Sequence, residues 1–326
     1  MSTTQISDVI VPTEFTDYLV LNTLVKSALF QSGVATPNAL ISSQLSAGAD
    51  QFTVPYWNDL ADDDADIVSD DPSVLSTPKK LGSTKQLVRK SYLHQSWSAM
   101  NLASELSGSN ALSRIQNRAA AYWTRQSQTR IISILKGVMA ENVANNGSDM
   151  VYDASTEVLN ATNVIRAAST LGDSMGTVKG IAMHSKCYTQ LLENDLIDFI
   201  RDSDGTLVMT TYRGLGVIVD DALVADDKGI YTSILFGAGA IGYAISSPRI
   251  AAGTEIENKP DAGNGGGQQI LHTRLNMAFQ PLGYSWVESS VAAESPTPTE
   301  LANAANWKRI VDDRRAIPLA FLLTKG

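Results

Sequence analysis

The amino-acid sequence predicts an α+β chain, and three observations carry that expectation. Residues 109–145 hold an unbroken helical pattern; residues 51–100 hold two strand patterns around a long polar loop; beyond about residue 150, short strands and helices alternate. At 326 residues, 44% of them hydrophobic and 18% charged, the chain is long enough to bury a sizeable core. No internal repeat organises it.

Taken in order, residues 1–50 place Phe15, Leu19, Asn22, Val25 and Leu29 at helical spacing among Ser, Thr, Gly and Pro, without the apolar density of a domain. They read as an arm that packs on something else. QFTVPYW (51–57) alternates Phe52, Val54 and Tyr56, and KQLVRKSYLHQSW (85–97) is a second strand rich in Val, Tyr and Trp. In the loop between them acid leads and base follows. Asp59, Asp62, Asp63, Asp64, Asp66, Asp70 and Asp71 come first, then Lys79, Lys80, Lys85, Arg89 and Lys90 on the returning side.

From 109 to 145 there is no Pro, and Gly137 is the only Gly. Leu112, Ile115, Ala119, Tyr122 and Trp123, then Ile131, Ile132, Leu135, Val138 and Met139, form a broad apolar stripe, with Arg114, Arg118, Arg125 and Arg130 expected on other faces. Such a helix would run roughly 54 Å, and Asn145, Asn146 and Gly147 supply a left-handed stop. After it, GTVKGIAMH reads as extended, SKCYTQLLENDLI as helical with Ser185 as its cap, and LGVIVDDAL and IYTSILFG as extended. DAGNGGGQQ (261–269) is a turn leading into a long strand, LHTRLNMAFQPLGYSWVE. The tail opens on ESPTPTELANAANW, a linker with a short helix, and closes on the apolar strand IPLAFLL.

Composition excludes several functions. A net charge of −9 opposes wrapping of nucleic acid through phosphate contacts, which needs concentrated Lys and Arg. The single cysteine, Cys187, excludes an internal disulfide and a multi-cysteine metal site. The first lysine is Lys26, so no basic run precedes the early apolar residues, and no apolar run is long enough to cross a bilayer. The expectation is a soluble, unexported chain without membrane contact.

The search for chemistry finds little. Gly237, Gly239 and Gly242 in FGAGAIGYA have the G-x-G-x-x-G spacing of a dinucleotide cradle and follow a strand pattern. Only five residues separate Gly242 from Pro248, too few for the helix that must receive the pyrophosphate. The bland reading is that small residues let backbones approach closely. His184 and Cys187 suggest a metal pair or activated thiol, yet His94 and His272 lie in unrelated segments; a strand-end His beside a helix cap explains the pattern better. Asp62, Asp64 and Asp66 imitate the start of a calcium loop, but Ile67 and Ser73 stand where Gly and Glu are needed. DSDG at 202–205 reads as a turn. No catalytic, cofactor or metal residue is assigned.

Several segments resemble a coat-protein subgroup of the tailed-phage major capsid proteins: VIVPTEFTDYLVLNTLVKSALFQSG (9–33), KGIAMHSKCYTQLLENDLID (179–198), TYRGLGVIVDD (211–221), YTSILFGAGAIGYA (231–244) and NWKRIVDDRRAIPLAFLLT (306–324). The resemblance implies the Hong Kong 97-type capsid fold. Its parts would be an N-terminal arm at 1–50, an extended loop at 51–100, a peripheral domain at 101–170 and 249–290 built on a spine helix, and an axial domain at 171–248. The segment 291–326 is assigned to none of them. The glycine run would be a strand and turn of the axial domain.

The implied function is a shell subunit. It would assemble with itself into the hexamers and pentamers of an icosahedral head, built in the host bacterial cytoplasm and enclosing double-stranded DNA without binding it specifically. A separate scaffolding protein, a portal and decoration proteins are the implied partners, and no lysine–asparagine crosslink is assigned. A cargo compartment of the encapsulin kind shares the fold, and a dinucleotide-dependent oxidoreductase is the third reading. A strand of about 12 residues reaches roughly 40 Å, twice the radius of gyration of about 20 Å for a compact chain of this length, so the hairpin outruns its own globule. It is expected to lie on a neighbouring subunit through Asp62, Asp63, Asp64, Lys79, Lys80, Arg89 and Lys90.

Overall fold

A computed structural model describes residues 33–57, 64–68, 70–73, 75–76, 78–80, 82–107, 111–201, 207–223 and 229–326. The expected arm therefore lies outside the described residues as far as residue 32, as do Asp62, Asp63 and residues 202–206.

The described chain opens with β1 (Ala35–Pro37) and α1 (Ala39–Leu45). Asn38 starts α1 by accepting the Leu40 amide on its side-chain oxygen at 2.9 Å. Next come β2 (Gln51–Trp57), β3 (Ser83–Met100), α2 (Asn101–Ser107) and α3 (Ala111–Asn145). At 35 residues α3 is close to the predicted helix and spans about 52 Å. It stops where Gly147 and Ser148 turn left-handed, at φ 63° and 59°, and the Ser148 amide reaches back to the Asn142 carbonyl.

Then follow β4 (Val151–Val158), α4 (Ala161–Ser169), β5 (Val178–Met183) and α5 (Ser185–Glu193). After these run β6 (Asp198–Arg201), β7 (Leu207–Tyr212), β8 (Leu215–Val219), β9 (Ile230–Gly237), β10 (Ile241–Ser246), β11 (Thr254–Lys259) and β12 (Gln268–Pro281). The chain closes with β13 (Tyr284–Trp286), α6 (Pro298–Leu301), β14 (Trp307–Arg309) and β15 (Leu319–Lys325).

Two larger sheets result. The first runs β1-β10-β12-β3-β2, with β11 pairing the outer half of β12 on the edge that β10 uses further along. The second runs β4-β15-β9-β5-β8-β7-β6. One core joins them. Trp123, Ile131, Ile134, Leu135 and Val138 of α3 meet Leu275, Met277 and Phe279 of the first sheet and Phe236 and Phe321 of the second. Each large apolar side chain so buried contributes about 1.5–3 kcal/mol. A second cluster packs α4 and α5 on the second sheet, and Ile41, Leu45, Phe52 and Val88 form a third under α1.

Strand pairing differs from the sequence division in four places. β4 and α4, counted with the spine helix, belong to the second sheet. β10, counted with the preceding strand, belongs to the first. The unassigned tail supplies β15 to the interior of the second sheet, parallel to β4 and antiparallel to β9. The end of the expected arm packs on its own subunit, where β1 pairs with β10 and α1 lies beneath it. The cause is common to all four: these pairings join residues far apart in sequence, and local pattern carries no record of them.

Candidate assembly surface

The hairpin of β2 and β3 is the feature a lone globule leaves least satisfied, and its root is built by three elements. β3 is shared in series, Ser83 to Arg89 pairing with β2 and Lys90 to Met100 with β12. The lower strand thus belongs to the subunit's own sheet, while the upper part projects from it. The segment 285–297 crosses the root. Arg89 donates to the Glu294 carbonyl at 3.0 Å, the Tyr92 amide to Ser295 Oγ at 2.8 Å, and the Leu87 amide to Ser285 Oγ at 2.9 Å. From beneath, Arg130 of α3 donates to Ser91 Oγ at 3.1 Å and to the Pro296 carbonyl at 2.9 Å.

These contacts correct two expectations. Arg89 and Lys90 are buried in their own subunit, at 7% and 0% exposure, so their charged heads are not available to a neighbour. Arg89 pairs with Asp50 and with Glu288, and its hydrogen bond holds the Asp50 carboxyl below the usual carboxylate range. The Lys90 ammonium donates to the Ala47 carbonyl at 2.7 Å over the ring of Phe52, and burial pulls it below the usual lysine range. Arg130, expected on an outer face of the helix, is also inside; burial lowers it to about 10, so it remains charged throughout the neutral range. Its partners are carbonyl and hydroxyl groups from remote segments, which helical spacing does not reveal.

Beyond the root the loop is exposed. Asp64, Lys79 and Lys80 lie at the surface, and Ile67, Val68 and Leu75 are 95%, 95% and 83% exposed. Three large apolar side chains this bare on one exposed loop are what an unfilled protein contact presents.

The other candidates resolve into structure. Gly237 ends β9 and Gly242 lies within β10, so FGAGAIGYA is the crossover between the two sheets. No helix follows it to receive a phosphate. A Cβ on Gly237 would stand 2.9 Å from Pro318 and from the Thr177 carbonyl, and one on Gly242 3.2 Å from Ile41, so the glycines admit the tail and α1. His184, rather than the expected Ser185, caps α5 by accepting the Lys186 amide at 3.1 Å on Nδ1. Cys187 is buried and its thiol is pushed up by burial, opposite to a reactive thiolate. Among the described residues no group of three or more His, Cys, Asp or Glu could hold a metal, and no helix is long and apolar enough to cross a membrane.

The described residues, with a hairpin, a long buried helix and no metal-ligand cluster, are similar to known capsid proteins. The family model described as major capsid protein 13-like, Gp13-like, matches residues 102–318. The major capsid protein of Bacillus phage SPP1 is 34% identical over 321 residues, covering 97% of this chain and 96% of that one. The chain belongs to the Gp13-like major capsid protein family. It is a major capsid protein of a tailed phage, a component of the virion that assembles with itself into a shell.

Solved capsids agree in fold. The Cyanophage Pam1 capsid asymmetric unit gives a TM-score of 0.59 at 10% identity, covering 93% of each chain. The capsid of Ralstonia phage GP4 gives 0.56 at 10% identity, covering 80% of this chain and 88% of that one. The Hong Kong 97-type architecture implied by the sequence is the architecture of this capsid protein. The tail segment NWKRIVDDRRAIPLAFLLT is held by specific contacts. Arg309 pairs with Asp149 at 2.6 Å, and Arg314 donates from Nε to the Asp149 carbonyl at 3.3 Å while its other nitrogens hold the Ile317 and Leu319 carbonyls. Together they lash the tail to the end of α3 before β15 enters the second sheet.

Proposed function

We propose that this capsid protein forms hexamers and pentamers of an icosahedral head in which the hairpin loop of each subunit lies on the next. The second sheet, with α4 and α5, serves as the axial domain around the capsomer centre, and the first sheet with α3 serves as the peripheral domain. The head is assembled in the host cytoplasm with a separate scaffolding protein, a portal and decoration proteins. It encloses double-stranded DNA without specific binding, in keeping with a net charge of −9. The protein is structural, with no catalytic role.

The observation that carries the reading is that Ile67, Val68 and Leu75 are almost fully bare on the loop that joins β2 to β3. A two-stranded ribbon is marginal in water and gains order from a partner. Acid at 64–71 and base at 79–80 offer complementary patches when identical subunits repeat around a ring, each exposed pair contributing about 0–1 kcal/mol. The reversal Lys79→Glu with Lys80→Glu tests it. Circular dichroism should report an unchanged subunit, while sedimentation should show weakened capsomer formation that salt partly restores. Normal shell formation at low salt would remove these charges from the contact.

A further inference from the structure

Two Asn–Gly pairs occur in the sequence, Asn146–Gly147 just after α3 and Asn264–Gly265 in the turn between β11 and β12. Such a pair carries a latent reaction. Once the amide nitrogen that follows an asparagine loses its proton, it can attack that asparagine's side-chain carbonyl, and glycine, lacking a Cβ, obstructs the attack least. The fold decides whether the reaction runs, by pinning the two groups or leaving them loose. Asn146 is pinned. Its side-chain amide donates to Glu141 Oε2 at 2.8 Å, its own N–H to the Asn142 carbonyl at 3.0 Å, and its carbonyl accepts the Asp149 amide at 3.4 Å. Glu141 is 2% exposed, so turning the Asn146 side chain onto the backbone would strip a bond from a buried carboxylate.

Asn264 is held by far less. Among the described residues neither its side chain nor the Gly265 N–H makes a hydrogen bond, and both residues are exposed. They form the centre of a turn at φ 55° and 88°, closed by one bond of 3.2 Å from the Gly266 amide to the Gly263 carbonyl. Ring closure requires the Asn264 backbone to leave that left-handed conformation, and glycines at 263, 265, 266 and 267 let it do so at little steric cost. A Cβ on Gly265 would meet nothing within 4 Å, so the surroundings of its nitrogen are open. The base of the turn stays fixed meanwhile, the Gly267 amide donating to the Ala262 carbonyl at 2.9 Å and the Asn101 amide to the Gly267 carbonyl at 3.1 Å.

We infer that Asn264 is a site of spontaneous covalent modification through a cyclic imide with Gly265. Hydroxide removes the Gly265 amide proton, the nitrogen bonds to Cγ of Asn264, and the Cγ–Nδ2 bond breaks, releasing ammonia that takes its proton from water. Water then opens the imide at either of its carbonyls, giving aspartate or isoaspartate. Each event adds one negative charge to the turn that already holds the exposed Asp261, and the isoaspartate product also inserts a methylene into the main chain.

Full-length protein incubated at neutral and at mildly alkaline pH, then digested and mapped by mass with isoaspartate resolved from aspartate, tests the inference; a parallel sample is held in guanidinium. The expected result in the native protein is conversion of Asn264 to a mixture of both products, faster at the higher pH, with Asn146 spared. In guanidinium, where the fold no longer distinguishes the two pairs, both asparagines should convert at similar rates. Asn264→Gln, which keeps the amide but must close a larger ring, should lose the native product. Native conversion of Asn146 as fast as Asn264, or survival of Asn264 through the native incubation, would overturn the inference. Aspartate formed without isoaspartate would show direct hydrolysis of the side chain and overturn the imide route.

Discussion

Gly137 is the point at which α3 admits the tail. A Cβ there would stand 2.2 Å from the Leu301 carbonyl and 2.6 Å from Nε1 of Trp307, and the first of these is backbone that cannot swing aside. Gly137→Ala should therefore destabilise by about 1–3 kcal/mol or more despite the better helix propensity of Ala. Gly176→Ala, with nothing within 4 Å, should stay within about 0.5 kcal/mol. Thermal unfolding of the two variants checks both expectations. On the outer face of the first sheet, His94 Nε2 lies 3.1 Å from His272 Nδ1, whose other nitrogen faces Glu257 at 3.2 Å. Burial, then the nearby His272 and Arg274, holds His94 below the ordinary histidine value of 6.5. Between the folded value and 6.5 the unfolded chain binds more protons, so stability is lost as pH falls through that interval. His94→Gln should flatten that part of the profile of denaturation midpoint against pH; an unchanged slope would assign the loss elsewhere. Neither site was legible in the sequence beyond its residue type. Gly137 is an isolated glycine in a helix, and the two histidines stand 178 positions apart until β3 and β12 align them.

At the scale of elements, legibility followed locality. The long helix, the β2 and β3 strands and the turn before β12 all announce themselves through period, propensity and punctuation within a short window. What the pattern did not carry is the partner of each strand: β15 reads as a strand, but its insertion between β4 and β9 does not. Arg130 illustrates the same limit, since a charged residue on a helix reads as outward until the Pro296 carbonyl and the Ser91 hydroxyl are brought over it. The helix itself yields a sharp prediction. Ile132 and Leu135 are 3% and 1% exposed in the core that joins both sheets. Replacing either by Asp buries an unpaired charge and should cost several kcal/mol, enough to keep the chain out of the soluble fraction. Soluble, normally assembling Leu135→Asp would show that this face of α3 is not the centre of the core.

For the whole molecule, the capsid role joins features that no single subunit explains: a hairpin rooted by buried cations and a loop with bare aliphatic residues. The buried root is what makes such an arm useful. Arg89, Lys90 and Arg130, each tied to backbone carbonyls, fix the direction in which β2 and β3 leave the sheet, so identical subunits present the loop identically. A density map of the assembled shell, with the chain traced through residues 64–80, tests this claim most directly. The account predicts that this segment crosses onto the adjacent subunit, with Ile67 and Val68 covered there. A trace in which the segment folds back along β3 of its own subunit, leaving its neighbour untouched, would contradict it.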